Sequence, residues 1–589
     1  MNYSKRLALL KFVLYGSSLA LILSLFHHQV IQGKDFRQIS ERNRIRLIPT
    51  PAPRGNIYDR NGLLIATNRP AYHVYITPED FNPKDLPELS QLLDMPVEGI
   101  REQIHVPRYK SLTPVEIKSD VSKEVAMQIE ERSPNLAGVF IQTDSVRYYP
   151  WHYQGHTVGY IGKITREEYE TLDRDHYGLH SVMGRAGLER RYDATLRGED
   201  GGRQIEVNAK GQQLRVLSEK PPVSGHDLTL SLDVKLEQAL LPLIKNKTAS
   251  IAMMNLKTGE MEVFLSTPDF DPNVFVEAGK DEERIHILKD KDRPLIHRAS
   301  YGSFPPGSVF KLVTAIAGLE TGKITRNSSF FCPGYYQLTS RSRRFKCWDS
   351  GGHGQVELLS ALEQSCNVYF YQLGRLIGEK DLSRYAHILG FGEPVPFEAP
   401  ASNGLIPSAQ WKQKRFGEQW YLGETLNFAI GQGYVLVSPL QILRLVGVIA
   451  TNGNLVQPTL IHQAEESVQK FPQPIANKEV FKVIRQGMLQ VVESRYGTGQ
   501  LARIDFMRLA AKTGTAQVPP QKTHAWFAGF FPYEDPQYAM VVFVEHGGSG
   551  GLTAAALARQ AVGLWKDLEA ADRKFQKPAL PALSLEPYL

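Results

Sequence analysis

The sequence predicts a chain of three unlike parts. These are one N-terminal helix that crosses a membrane, a module of mixed β and α structure, and a larger α/β (α+β) domain with helices on an antiparallel sheet. Three observations carry this. An apolar, uncharged run from Phe12 to Ile31 follows a basic start. Short β-runs and helical patches alternate up to a Pro/Gly linker, "KPPVSGHD", at Lys220–Asp227. Beyond it, long helical patterns lead to three strand-like runs close together near the end.

The first part is Met1–Lys11, which carries Lys5, Arg6 and Lys11, followed by "FVLYGSSLALILSLF" and "HHQVI". As a helix, Phe12 to Ile31 reaches about 30 Å, the thickness of a hydrocarbon core. Basic residues on its N-terminal side put residues 1–11 in the cytoplasm and everything after residue 31 outside, in the periplasm of a cell with an inner membrane. No small-x-small cleavage site follows, so 12–31 reads as a retained single-pass anchor rather than a signal peptide. His27 and His28 fall at its outer, interfacial end.

The second part covers residues 32–220. Asp59-Arg60-Asn61-Gly62 between "NIYD" and "LLIA" predicts a hairpin. Phe81 to Pro134 reads as helical and charged, and Gly138 to Ile164 as strands. Gly184 to Gly202 reads as a helix ended by glycines, and Arg203 to Leu217 as a hairpin. The third part covers residues 221–570. It begins with a strand and helix in "LTLSLDVKLEQALLPLI" and two β-runs over Ala249–Pro268 joined at Lys257-Thr258-Gly259. Helical patterns follow over Ser308–Gly322, Leu358–Gly374, Pro439–Ala450 and Lys478–Ser494, then strand runs around "AAKTGTAQV", "HAWFAGFFP" and "YAMVVFVEHG", and a last helix over Ala555–Leu568. The Pro-rich segment 571–589 reads as a disordered tail.

Composition excludes some classes. With 68 basic and 62 acidic residues the net charge is only +6, without a long basic run, which argues against nucleic acid as a partner. Three cysteines cannot all pair internally, so the chain is no disulfide scaffold.

The chemistry starts at "SFPPGSVFKLVTA". Ser308 stands at the start of an apolar helical run, where serine is a common cap. Gly302 and Gly307 have P-loop spacing, but a serine replaces the essential lysine and two prolines remove phosphate donors, which excludes that reading. Ser308 and Lys311 also share one helix face, and a desolvated lysine there can take the serine proton. Two later stretches belong with them. Ser365-Cys366-Asn367 offers a hydroxyl and an amide two residues apart. Lys512-Thr513-Gly514-Thr515 offers a cation, two hydroxyls and, at Gly514, close access of a ligand to a strand backbone. Lys257-Thr258-Gly259 shows how common the last triplet is, and its place between two strands marks it as a turn. His524 follows that strand closely and is a candidate to line the same cleft. "RSRRFK", Arg341–Lys346, reads as a solvated loop, although an anionic glycan strand could meet it.

The order Ser308-x-x-Lys311, Ser365-x-Asn367, Lys512-Thr513-Gly514 resembles that of penicillin-binding proteins. "PRGNIYDRNGLLIATN", "RYYPWHYQGHTVGYIG", "GRAGLERRYDATLRG", "AIGQG" and "AKTGTAQV" are similar to class B members of that family. "EVNAKG", "GHG" and "HAWFAGF" are most similar to its elongation-type group, penicillin-binding protein 2. The resemblance covers roughly residues 10 to 570 and implies a serine-transpeptidase domain standing on an elongated, non-catalytic pedestal of the dimerisation type. The activity it implies is peptidoglycan DD-transpeptidation during wall elongation, with a weak DD-carboxypeptidase side activity. Ser308 would attack, Lys311 act as base, Ser365 pass a proton to the leaving D-Ala, and Asn367 hold the donor peptide. Lys512, Thr513, Gly514 and Thr515 would receive the terminal carboxylate. Stem peptides and β-lactams are the implied ligands, and a RodA-type glycan polymerase and an MreC-type scaffold the implied partners. A septal transpeptidase, a β-lactam sensor or hydrolase, and a catalytically dead scaffold for the polymerase are the alternatives. The intact motifs weigh against the last.

Cys332, Cys347 and Cys366 lie close together in the chain, with His353 between them. A Cys332–Cys347 disulfide with Cys366 free fits an oxidising compartment. A structural Cys₃His zinc site uses every cysteine and ties the loop to the Ser365 motif. Both readings stand on the sequence alone; no metal is needed for the acyl-transfer chemistry that the resemblance implies.

Overall fold

In the computed structural model, which describes residues 3–32, 45–78, 80–104, 114–132, 134–172, 177, 181–207, 213–462 and 477–575, the N-terminal helix spans Tyr3–Phe26. It continues as a wider π-helical turn over His27–Ile31. Leu9–Ile31 is long and apolar enough to cross a membrane, and none of it is buried against the rest of the chain.

The N-terminal module is built on strands. β1 (Ile45–Thr50) precedes β2 (Ile57–Tyr58) and β3 (Leu64–Ile76), which form the expected hairpin. Asp59 closes its turn by accepting from the N–H groups of Asn61 at 2.8 Å and Leu63 at 2.7 Å. The stretch from Phe81 to Pro134 is helical at Leu86–Leu93, Val97–Ile104 and Lys123–Arg132, but Val115–Val121 is a strand, β4. Its buried residues are Val115, Ile117 and Val121, all in odd positions, so the period is two and not 3.6. β5 (Val139–Tyr148) pairs with β3 on the side opposite β4. β6 (Ile161–Lys163) and β7 (Val182–Gly184) form a small pair. The helix expected over Gly184–Gly202 is two short ones, Gly187–Arg191 and Asp193–Leu196, broken at Tyr192. β8 (Gly201–Val207) and β9 (Gln213–Lys220) form the second expected hairpin, joined by β1.

A buried ion network welds this module. Arg54 reaches Glu189 at 2.8 Å and Asp193 at 2.9 Å, and Arg147 reaches Glu189 at 2.6 Å. The stretches "PRGN", "VRYYP" and "GLERRYD" are thus three sides of one structure. Past the linker, β10 (Leu228–Thr229) adds to β2 in parallel.

The larger domain is a three-layer sandwich. β11 (Ala249–Asn255) and β12 (Met261–Thr267) are joined by the Lys257–Gly259 turn, as expected. β13 (Ser329–Cys332) pairs with β16 (Gly354–Glu357), and β14 (Tyr335–Gln337) with β15 (Arg344–Lys346). β17 (Ala510–Ala516), β18 (His524–Phe531) and β19 (Tyr538–Val544) complete a central antiparallel sheet in the order β12-β11-β19-β18-β17. Alternate residues serve opposite faces. Ile251, Phe527 and Val542 pack with Leu240 and Val562 of the Val234–Ile244 and Ala555–Phe575 helices. Ala252, Ala528 and Val541 pack on the other side with Val309, Leu443 and Val446. The last helix runs to Phe575, so 571–575 belong to it and not to a disordered tail; 576–589 lie outside the described residues.

Candidate active site

The turn "PPG" does what its composition dictates. Gly307 takes φ +53°, which a side chain would resist, and leads into a 3-10 turn over Gly307–Phe310 that runs on as the Lys311–Glu320 helix. Ser308 does not cap it: Pro306 holds the cap position and no side-chain cap bond forms. Two groups fix the turn from outside. Gly431 of "AIGQG" accepts from Gly307 N–H at 2.9 Å, and the Trp526 indole donates to the Pro305 carbonyl at 3.0 Å.

The helix expected over Leu358–Gly374 is broken at the motif it carries. It forms as Leu358–Glu363 and Asn367–Ile377, with Ser365 between them at φ +54°. A non-glycine residue there is strained, which marks a constrained position. The break turns the Ser365 hydroxyl towards two lysines, at 3.3 Å from Lys311 Nζ and 3.0 Å from Lys512 Nζ. Lys311 also donates to the Ser365 carbonyl and to Asn367 Oδ1, both at 2.7 Å. Both lysines are fully buried. Burial pushes Lys311 down to about 8. Burial, and then the neighbouring Lys311, hold Lys512 well below the usual lysine range.

Ser308, Ser365, Asn367, Thr513 and Thr515 line one cavity of about 1270 Å³, with Lys311 and Lys512 beneath it. No hydrogen bond joins Ser308 to Lys311, whose Nζ turns to the Ser365–Asn367 side instead. Thr515 Oγ1 accepts from the Gly550 N–H at 3.1 Å. The Thr513 hydroxyl lies 2.7 Å from that of Thr498, a cavity residue that the sequence reading missed; its only signal is a turn-like "YGTG".

Two expectations are corrected. A Cβ at Gly514 would lie 2.9 Å from Val309 Cγ2, 3.0 Å from the Pro306 carbonyl and 3.1 Å from Trp526 Cβ. The missing side chain therefore lets the strand approach the Ser308 turn, not a ligand. His524 does not line the cavity. It is 4% exposed, packs on Phe304 and Phe543, and accepts from the His546 N–H at 3.0 Å. Burial, and then His546, push it down to about 4. The alternation of β18 points it into the core.

The three cysteines are free thiols, so the Cys332–Cys347 disulfide does not form. Instead Cys332, Cys347, His353 and Cys366 bring their ligand atoms within 4.8 Å of one another. His353 Nδ1 lies 3.6 Å from the Cys332 sulfur and 3.5 Å from that of Cys347. Three thiols and an imidazole so gathered form a donor set that could hold a metal ion. Cys366 sits between Ser365 and Asn367, and Cys347 directly follows β15.

Residues 249–563 match the penicillin binding protein transpeptidase domain family, and residues 49–230 the penicillin-binding protein dimerisation domain family. The peptidoglycan D,D-transpeptidase MrdA of Escherichia coli K12 is 32% identical over 567 residues, spanning 90% of this chain and 89% of that one. The fold is similar to penicillin-binding protein PBP2 of Helicobacter pylori, solved in complex with MreC. The TM-score is 0.80 at 29% identity, over 89% of this chain and 99% of that one. It is also similar to a chain from a structure of a peptidoglycan synthase complex that coordinates polymerisation and crosslinking. There the TM-score is 0.71 at 29% identity, over 98% of this chain and 99% of that one.

Proposed function

The chain belongs to the penicillin-binding proteins with a transpeptidase domain, and on that premise we propose that it is a peptidoglycan D,D-transpeptidase of wall elongation. The observation that carries this reading is the pair of buried lysines on either side of the Ser365 hydroxyl, under the cavity that Ser308 enters.

In the proposed reaction, Ser308 Oγ attacks the carbonyl carbon of the penultimate D-Ala of a donor stem peptide. Lys311, neutral in part near pH 8, takes the hydroxyl proton once its Nζ turns from Asn367 to Ser308. The backbone N–H groups of Ser308 and Thr515 hold the oxyanion. The peptide C–N bond breaks, Ser365 passes the proton to the leaving D-Ala, and the donor remains as an ester on Ser308. Lys512 Nζ holds the Ser365 hydroxyl in place by a hydrogen bond of 3.0 Å, while Thr513 and Thr515 receive the terminal carboxylate and Asn367 the donor amide. The amine of a second stem peptide then attacks the ester, loses its proton, and frees Ser308. Water in place of the amine gives a weak carboxypeptidase side reaction. A β-lactam stops at the ester.

The anchor would hold residues 1–11 in the cytoplasm and the catalytic domain in the periplasm. The proposed partners are an MreC-type scaffold, following the complex of the similar Helicobacter pylori protein, and a glycan polymerase, for which the resemblance implies the RodA type and which fits the similar chain's place in a synthase complex that couples polymerisation and crosslinking. A structural zinc ion would be held by Cys332, Cys347, His353 and Cys366, fixing the loop that carries Ser365 and Asn367.

Labelling with a fluorescent penicillin tests the chemistry. Stable label that Ser308→Ala abolishes is expected; rapid turnover of the label would indicate a hydrolase, and no label a scaffold. Depletion that rounds cells supports elongation, whereas filamentation contradicts it. Elemental analysis should find one zinc per chain, and two oxidised sulfurs without zinc overturn the metal assignment.

A further inference from the structure

The cavity over Ser308 has an unbalanced charge. Arg343, Arg344 and Lys346 line it, and no aspartate or glutamate does among the described residues. None of the three cations has an ion-pair partner among the described residues, although the Arg344 guanidinium stacks over Tyr335 at 4.3 Å. Surface cations usually find counter-charges or point into bulk water. Three of them in one concavity with no acidic residue among the described lining raise its potential for anions.

Their support is rigid. β15 carries Arg344 and Lys346, pairs with β14, and runs directly into Cys347 of the Cys₃His cluster. The Cys347 N–H donates to Gly334 at 2.8 Å, and the Lys346 carbonyl accepts from Asn367 Nδ2 and the Tyr371 hydroxyl, both at 3.3 Å. The cationic edge is thereby held beside Asn367, in the same cavity that Thr513 and Thr515 line. In the proposed reaction those threonines take the terminal carboxylate, and the donor chain upstream of the scissile bond leaves past Asn367.

We propose that Arg343, Arg344 and Lys346 form a second carboxylate subsite, which reads free carboxylates of the donor stem peptide upstream of D-Ala-D-Ala. This rests on the transpeptidase reading above. A guanidinium fork matches a carboxylate in two parallel hydrogen bonds, which an amidated stem cannot reproduce. The subsite therefore separates free-acid from amidated stems.

The test uses the full chain in detergent and two synthetic donors ending in D-Ala-D-Ala, identical except that the upstream carboxyls are free or carboxamide. D-Ala release is measured with an amine acceptor in excess, each rate divided by the amount of protein that fluorescent penicillin labels. At low salt kcat/KM should be about fivefold higher for the free-acid donor, the upper end for a partly exposed ion pair. High salt should shrink the preference. R343Q/R344Q should remove it and R343E/R344E invert it. Equal kcat/KM for both donors in the wild type, or a preference that survives charge reversal, overturns the subsite alone. Absence of penicillin label on the wild type overturns the functional reading, and the subsite with it.

Discussion

Gly514→Ala should disarm Ser308 without touching any polar group of the site. The added methyl would sit 2.9 Å from Val309 Cγ2, 3.0 Å from the Pro306 carbonyl and 3.1 Å from Trp526 Cβ. Ordinary carbon contacts begin about 0.5 Å further out. Little can give way. Pro306 is backbone at the turn, Trp526 is fixed by its bond to Pro305, and Val309 is fully buried next to the nucleophile. The turn must therefore move, by a few tenths of an ångström, against the strand that carries Lys512 and Thr513. Overpacking of this kind costs about 2 kcal/mol, a fall of roughly 5 °C in Tm. Because a displacement of 1 Å can cost about 100-fold, half of that predicts a loss of roughly tenfold in penicillin acylation. Stopped-flow acylation and a thermal melt measure both. Val309→Ala removes the nearest contact and should restore part of the rate in the double variant. An unchanged acylation rate at unchanged Tm would show that Gly514 does not set the position of Ser308.

Three further outcomes follow from other parts of the molecule. With Lys311 lowered to about 8 by burial, penicillin acylation should rise about tenfold per pH unit below pH 7 and level off above pH 8; a flat profile from pH 6 to 9 refutes Lys311 as the base. Glu189→Ala leaves Arg147 buried without a carboxylate and Arg54 with Asp193 alone, and should lower stability by about 3–5 kcal/mol, read by chemical denaturation. His524, lowered to about 4 from 6.5, makes the folded protein bind fewer protons than the unfolded chain between those pH values. Stability is then lost as pH falls from 6.5 towards 4, by up to about 3 kcal/mol, and His524→Phe should flatten that slope in a pH series of melts.

The sequence alone carried the order of the parts, because each has its own period. The uncharged run at Phe12–Ile31, the Asn61-Gly62 turn and the apolar strands around Lys512 are local signals, and all three formed. It also named the groups at the cavity, Ser308, Lys311, Ser365, Asn367, Lys512 and Thr513, since spacing and order survive in a linear text. What it could not carry were distances between elements far apart in the chain. Only the tertiary structure breaks the Leu358–Ile377 helix at Ser365, because the strain at φ +54° is sustained by contacts from Lys311 and Lys512. Only packing decides that Gly514 admits the Ser308 turn, that His524 faces the core, and that Thr498 meets Thr513. The cysteines show the division most plainly. Their number left a disulfide and a metal site open, and only the folded chain shows three sulfurs and one imidazole brought together as a donor set that could hold a metal ion. Local preference fixes which elements form, whereas burial and contact between distant segments fix which atoms meet.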